Sequence, residues 1–298
     1  MFTIFGKIDY YLVQITFNKM KIAVLIPSHI YYDDQIERLG RCLHSIYSQT
    51  IVPDIFVSIS FDNDIYKNNF SKILRKYPLV KYKISSEQKF QMEHIMILSK
   101  FICDYDMIMF CDDDDTYLRF RVEEFAKAFE QTKEYCIKNN IQLGGVREIP
   151  HITKTNDYQE YWAYGIPPVL LTEFFKRINN YKDLLRYKFA DMYLRTYLRK
   201  TGGSSIIFSG ILPDISGLNM YEYTIDNANS ICGRHTRQEK TRENANSIIK
   251  DNITLALICD SDDLVNKSMK DASAPLSRLN EVVPEAERIK KLTAMLYI

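Results

Sequence analysis

From Met20 onward, short uninterrupted apolar runs alternate with stretches in which apolar residues recur every three or four positions. The first run, Ile22 to Ile26, is stopped by Pro27-Ser28. Gln35 to Ser48 then carries Ile36, Leu39, Cys42, Leu43, Ile46 and Tyr47 at helical spacing. Asp54 to Ser60 predicts a second strand, closing on Phe61-Asp62-Asn63-Asp64, and Asn68 to Lys76 a helix. Val80 to Ile84 predicts a third strand, and Gln88 to Cys103 a helix with Phe90, Met92, Ile95, Met96, Leu98 and Phe101 as its apolar set. Met107 to Cys111 is a fourth apolar run, followed after a polar break by the helix-like Arg119 to Ala128. Strands buried on both faces read as continuous apolar runs. Repeated strand–helix units therefore predict an α/β domain with a parallel sheet and right-handed crossovers.

The polar break after the fourth run consists of four consecutive aspartates, Asp112 to Asp115. In open α/β sheets ligands sit beyond the carboxyl ends of the strands, which is where these carboxylates fall. Adjacent like charges raise one another's pKa and oppose compaction unless water or a cation neutralises them. A hard divalent cation, Mg²⁺ or Mn²⁺, takes carboxylate oxygens and completes its shell with phosphate oxygens and water. The competing reading is a solvated acidic turn, or a helix N-terminus that favours negative charge. Three loops would converge at this edge: Pro27-Ser28, Asp62 to Asp64 and Asp112 to Asp115. Neither G-x-G-x-x-G after the first strand nor G-x-x-x-x-G-K-[ST] occurs, so phosphate binding would rest on a metal.

A chain of 298 residues with 46% hydrophobic and 26% charged residues supports a sizeable core. The net charge is +1 without a basic block, which argues against nucleic acid as a main partner. Six scattered cysteines form no C-x-x-C pair or zinc-ligand spacing, and read as mostly buried thiols in a reducing compartment. No transmembrane segment or signal peptide is apparent in the sequence, and a cytoplasmic protein is expected.

From about Met20 to about His235 the chain resembles the GT-A glycosyltransferases, within them family 2. The resemblance lies in VLIPSH, LHSIYSQT, SISFDND, the FCDDDDTY segment, similar to the D-x-D motif with a further aspartate, and the acidic segment Phe189-Ala190-Asp191-Met192-Tyr193-Leu194. It implies a GT-A (Rossmann-like) fold: a mixed, mostly parallel sheet flanked by helices, with a helical C-terminal appendage. The expected division is 1–19 as an edge strand or extension, 20–242 as the glycosyltransferase domain and 243–298 as the appendage, which would pack back, mediate self-association or hold the acceptor.

Carried over residue by residue, the resemblance implies that Pro27, Ser28 and Asp62 line the nucleoside pocket, that Asp112 touches the ribose side and that Asp114 ligates the metal bridging the diphosphate. Asp113 and Asp115 follow if the register slips by one. Asp62 also has the composition of a simple turn, and Pro27-Ser28 that of a strand stop. Gln91 and His94, on one helix face before the metal strand, are further donor-pocket candidates, with packing as the alternative. Asp191 is the candidate base, taking the acceptor hydroxyl proton; the family's usual glutamate before it is Ala190 here, and a helix N-cap is the competing role. Trp162, the only tryptophan, is a candidate sugar-stacking residue of the acceptor site, or core. In Asn227 to His235, similar to a donor-closing loop, His235 would complete the metal shell or be simply solvated, while Arg234 and Arg237 would grip the diphosphate.

The expected activity is metal-dependent, inverting transfer of a sugar from a nucleotide-diphosphate donor, UDP-linked, to a glycan or other hydroxyl acceptor. Two alternatives stand beside it. A nucleotidyltransferase also joins a parallel sheet to paired aspartates and a metal, but Pro27-Ser28-His29-Ile30 lacks that class's glycine-rich, basic signature. A catalytically inactive sugar-nucleotide or glycan-binding module would keep the aspartates and be indifferent to the loss of Asp191.

Overall fold

A computed structural model describes residues 20–148, 160–179, 185–186, 190–201, 206–211, 220–222 and 224. The expectations for 1–19, for Asn227 to His235 with Arg237, and for 243–298 lie outside them.

The order of elements is β1 (Ile22–Ile30), α1 (Asp33–Tyr47), β2 (Asp54–Phe61), α2 (Asp64–Leu74), β3 (Lys81–Ser85), α3 (Gln91–Leu98), β4 (Met107–Phe110), β5 (Thr116–Tyr117), α4 (Arg121–Asn139), β6 (Gln142–Glu148), β7 (Tyr164–Ile166), α5 (Pro168–Ile178), α6 (Asp191–Thr201), β8 (Ile206–Ile211) and β9 (Tyr221–Glu222). Seven strands form one sheet in the order β3-β2-β1-β4-β7-β6-β8, and β5 pairs with β9 in a small antiparallel ribbon. Within the large sheet only β7 runs against its neighbours. The expected mixed, mostly parallel sheet flanked by helices is thus the architecture found.

The continuous apolar runs follow from burial on both faces. Ala23 and Leu25 of β1 pack with Ile108, Phe110 and the apolar sides of α3, α5 and α6. Ile22, Val24 and Ile26 pack with Met107, Met109 and the apolar sides of α1 and α4. Alternate residues of one strand thereby feed two cores, as the two-residue period requires.

Several boundaries move. β1 does not stop at Pro27-Ser28 but continues to Ile30, with Pro27 opposite Ser58 of β2. Proline is tolerated because β4 pairs with β1 only as far as Leu25 and ends its contact with the Cys111 N–H donating to the Leu25 carbonyl. Residue 27 shares the alternation of residue 25, so its missing N–H faces the side that β4 has already left. α2 begins at Asp64, four residues earlier than expected, because the Asn63 side chain accepts from the N–H groups of Ile65 and Tyr66 at 3.0 and 3.1 Å. α4 begins at Arg121 and runs to Asn139, ended by the left-handed Asn140.

β6 and β7 had no legible signal. Their contact is made by backbone: Gly145 has φ +122° at a bulge, and a Cβ there would lie 2.2 Å from the Gly165 carbonyl oxygen. Only glycine permits both that conformation and that approach.

Candidate active site

The carboxyl ends of β1, β2 and β4 meet at one edge and are joined by side chains. Ser28 donates to Asp113 Oδ2 at 2.6 Å. The next residue, His29, places Nε2 3.1 Å from Asp62 Oδ1. From α3, Gln91 Nε2 donates to Asp112 Oδ1 at 2.8 Å and reaches the Tyr161 hydroxyl at 3.1 Å. The three loops expected to converge are therefore linked through consecutive residues of β1, and the aspartate run straddles the sheet edge. Asp112 turns toward the α3 side and Asp113 toward Ser28, whose strand neighbours of like parity face α1.

Two ends of the run are pinned. The Tyr161 hydroxyl donates to Asp112 Oδ1. The Tyr221 hydroxyl accepts from the Asp112 N–H at 3.1 Å and donates to Asp115 Oδ2 at 2.7 Å. Thr224 N–H donates to Asp115 Oδ1 at 2.7 Å, and its hydroxyl to the Asp114 carbonyl at 2.6 Å. Asp115 is fully enclosed with both oxygens engaged, whereas the Asp114 side chain is 36% exposed with Arg38 Nη1 4.0 Å from its Oδ2.

Electrostatics follow from this crowding. Burial first, then the neighbouring charges, holds Asp112 well above the ordinary carboxylate range against the opposing Tyr161 bond. Burial and the Asp114 charge raise Asp113 to about 7, opposed by Ser28. Burial raises Asp115 to about 7, opposed by Thr224 and Tyr221. Tyr161 is pushed well above its usual range by burial, then by Asp112 and, further off, Asp191. One phenol thus feels the Asp112 and Asp191 carboxylates together.

The donor chemistry fits a hard cation: oxygen ligands, mutually repelling carboxylates, and one of them turned outward. Among the described residues no group of three or more His, Cys, Asp or Glu forms a ready-made cage. One or two protein carboxylates with phosphate and water suffice for Mg²⁺ or Mn²⁺.

Asp191 is the first residue of α6, behind the buried Ala190, where the helix dipole favours a negative charge. Trp162 stacks on Tyr221 with ring centroids 4.0 Å apart and planes 6° apart, so one face of the indole is covered by protein. Pro27 is a buried strand residue. His94 is buried: Nδ1 meets Ser58 Oγ at 2.8 Å and Nε2 meets Ser60 Oγ at 3.1 Å. His235 lies outside the described residues.

Sequence reading missed Tyr221, Thr224 and Arg38 as parts of the site, and saw Tyr161 only as one of an aromatic run. Tyr221 and Thr224 lie over a hundred positions from the aspartates they hold and belong to no motif. Cys42, Cys111 and Cys136 are buried and Cys103 is exposed; all four are free thiols. No described helix is long and apolar enough to cross a membrane.

No family model matches this chain, and no curated protein does. Among solved structures, S. aureus TarS 1–349 in complex with UDP is 12% identical, over 93% of this chain and 71% of that one, with a TM-score of 0.47. The longer TarS chain is spanned over 43% of its length. The mannosyltransferase PcManGT from Pyrobaculum calidifontis, in complex with GDP-Man and Mn²⁺, is 10% identical over 93% and 81%, with a TM-score of 0.45. A 4-diphosphocytidyl-2C-methyl-D-erythritol synthase is 14% identical over 72% and 99%, with a TM-score of 0.41. Likenesses at this level fix no activity.

Proposed function

We propose that this chain is a metal-dependent, inverting glycosyltransferase that moves a sugar from a nucleoside diphosphate donor, UDP-linked, to a hydroxyl acceptor. The observation that carries the reading is the linkage of three strand ends around four carboxylates, Ser28 to Asp113, His29 to Asp62 and Gln91 to Asp112, with a further carboxylate at the start of α6.

Ser28 and Asp62 bind the nucleoside beside Pro27, Asp112 and Asp113 flank the ribose and diphosphate, and Asp114, the outward carboxylate, holds Mn²⁺ or Mg²⁺, with His235 as a further ligand. When bound, the cation neutralises charge on the departing diphosphate. Asp191 accepts the acceptor hydroxyl proton as that oxygen forms its bond to the anomeric carbon and the bond to the diphosphate breaks. Trp162 offers its remaining indole face to the acceptor.

Thermal melting with Mn²⁺ and each of UDP, GDP, CDP and ADP tests the donor site, since a ligand that binds only the folded state raises the melting temperature. A metal-dependent rise with one nucleotide, lost in Asp114→Asn, is expected. No rise with any nucleotide sinks the reading. Asp191→Asn then separates enzyme from binding module: turnover is lost while the nucleotide-dependent rise stays.

A further inference from the structure

We propose that Arg121 is a positioning residue that holds two tyrosine hydroxyls against the two ends of the aspartate run, a role that rests on the function proposed above. Arg121 is fully buried, with its guanidinium 4.8, 4.6 and 5.0 Å from the rings of Tyr117, Phe125 and Tyr221. It acts in two directions. Nη2 donates to the Trp162 carbonyl at 2.9 Å, fixing the backbone next to Tyr161. Nη1 pairs with buried Glu148, whose Oε1 accepts the Met220 N–H at 2.7 Å, fixing the backbone next to Tyr221. The Trp162–Tyr221 stack joins the two arms.

Each arm ends on the aspartates: Tyr161 on the Asp112 carboxylate, Tyr221 on the Asp112 N–H and the Asp115 carboxylate. With residues 112 and 115 pinned, Asp113 and Asp114 form the apex and face the ligand side. Asp115 is therefore an anchor of the loop and not a metal ligand, because both its oxygens are already engaged inside the protein. Such an arrangement fixes carboxylate direction before the ligand arrives, which is how a loop site reaches the precision that chemistry needs.

The test uses Tyr221→Phe and Tyr161→Phe in the full chain, each removing one hydroxyl and no packing volume of note. Amide hydrogen exchange without ligand reads the clamp itself: Tyr221→Phe speeds exchange at the Asp112 amide. Titration with Mn²⁺ plus the nucleotide that stabilises the wild type reads its purpose: each variant loses about tenfold in affinity, the scale of one buried hydrogen bond to a charged group, and the double variant loses less than the product because both act on Asp112. Variants that melt lower yet bind as tightly as wild type overturn the proposal and leave the glycosyltransferase reading intact. A wild type that binds no metal–nucleotide overturns both, and is distinguishable because the loss precedes any mutation.

Discussion

Two polar networks sit side by side at the carboxyl edge of this sheet, and they are built from opposite chemistry. One is the aspartate run, pinned by phenols and backbone N–H groups. The other runs Asp62–His29–Ser60–His94–Ser58, a chain of imidazoles and hydroxyls in which Ser60 joins both histidines, His29 Nδ1 at 2.8 Å and His94 Nε2 at 3.1 Å. Burial raises Asp112, Asp113 and Asp115 in the first and lowers His29 and His94 in the second. His94 is taken down to about 3 by burial, with the His29 and Lys89 charges adding to it, so near pH 7 it is a neutral strut. Asp113 and Asp115, at about 7, are divided between charged and neutral forms at the same pH. The lesson is that burial gives a neutral brace where imidazoles and hydroxyls bond one another, and acids held above their ordinary range where carboxylates crowd together.

The largest effect should come from removing the counter-charge under the acidic network. Arg121→Met leaves Glu148 buried with the Met220 N–H as its remaining bond, and should cost about 3–5 kcal/mol in chemical denaturation. A loss under about 1 kcal/mol would show that the pair has no hold on this region.

Acidity separates the two networks by sign. Asp113 and Asp115 have folded pKa values near 7 against 3.8 in the unfolded chain, so their contribution is fully present below about pH 3.8 and is lost as pH rises to about 7. His94, lowered from 6.5 to about 3, contributes fully above about pH 6.5 and loses that contribution as pH falls toward 3. Stability measured without divalent ions should therefore fall on both limbs. Millimolar Mg²⁺ or Mn²⁺ should restore the alkaline limb alone, and Asp115→Asn should make it shallower. A cation that acts equally on both limbs would break the contrast.

Within the neutral network, His94→Leu keeps volume but orphans the Ser58 hydroxyl, and should cost about 1–3 kcal/mol while flattening the acid limb. The smallest effect is a control on the side of α1 that faces α2. Gly40 lies inside α1, where an added Cβ would meet only Ile73 Cδ1 at 3.5 Å, beside a groove of about 1110 Å³ between α1 and α2. Gly40→Ala should raise stability by about 0.5–1 kcal/mol through helix propensity and leave both pH limbs unchanged.

How far the site was legible depended on how local each part is. Ser28, Asp62, Gln91 and the aspartates could be named because each lies next to a strand or helix boundary that an apolar pattern marks. The boundary at Pro27 was misplaced for a tertiary reason: whether a proline ends a strand depends on which neighbour its missing N–H would have faced. The early start of α2 was readable in principle from Asn63 as a cap, but the same residues also spelled a turn. Gly144-Gly145 hid β6, since glycine weakens a strand pattern at the point where two backbones come close. Trp162 was legible as unusual, and its stacking on Tyr221 was not, because stacking partners leave no trace of their distance in the chain.

Taken alone, the amino-acid order determined the alternation of strands and helices, the burial of both sheet faces and the presence of an acidic run just past a central strand, because periodicity and burial are properties of neighbouring residues. Tertiary structure decided which aspartate is anchored and which is displayed. Asp112 to Asp115 are chemically identical and consecutive; they differ through Ser28, Gln91, Tyr161 and the pair Tyr221 and Thr224, brought to them from four other segments by folding. Their pKa values, directions and exposure are consequences of that company, and no local pattern in the sequence encodes it.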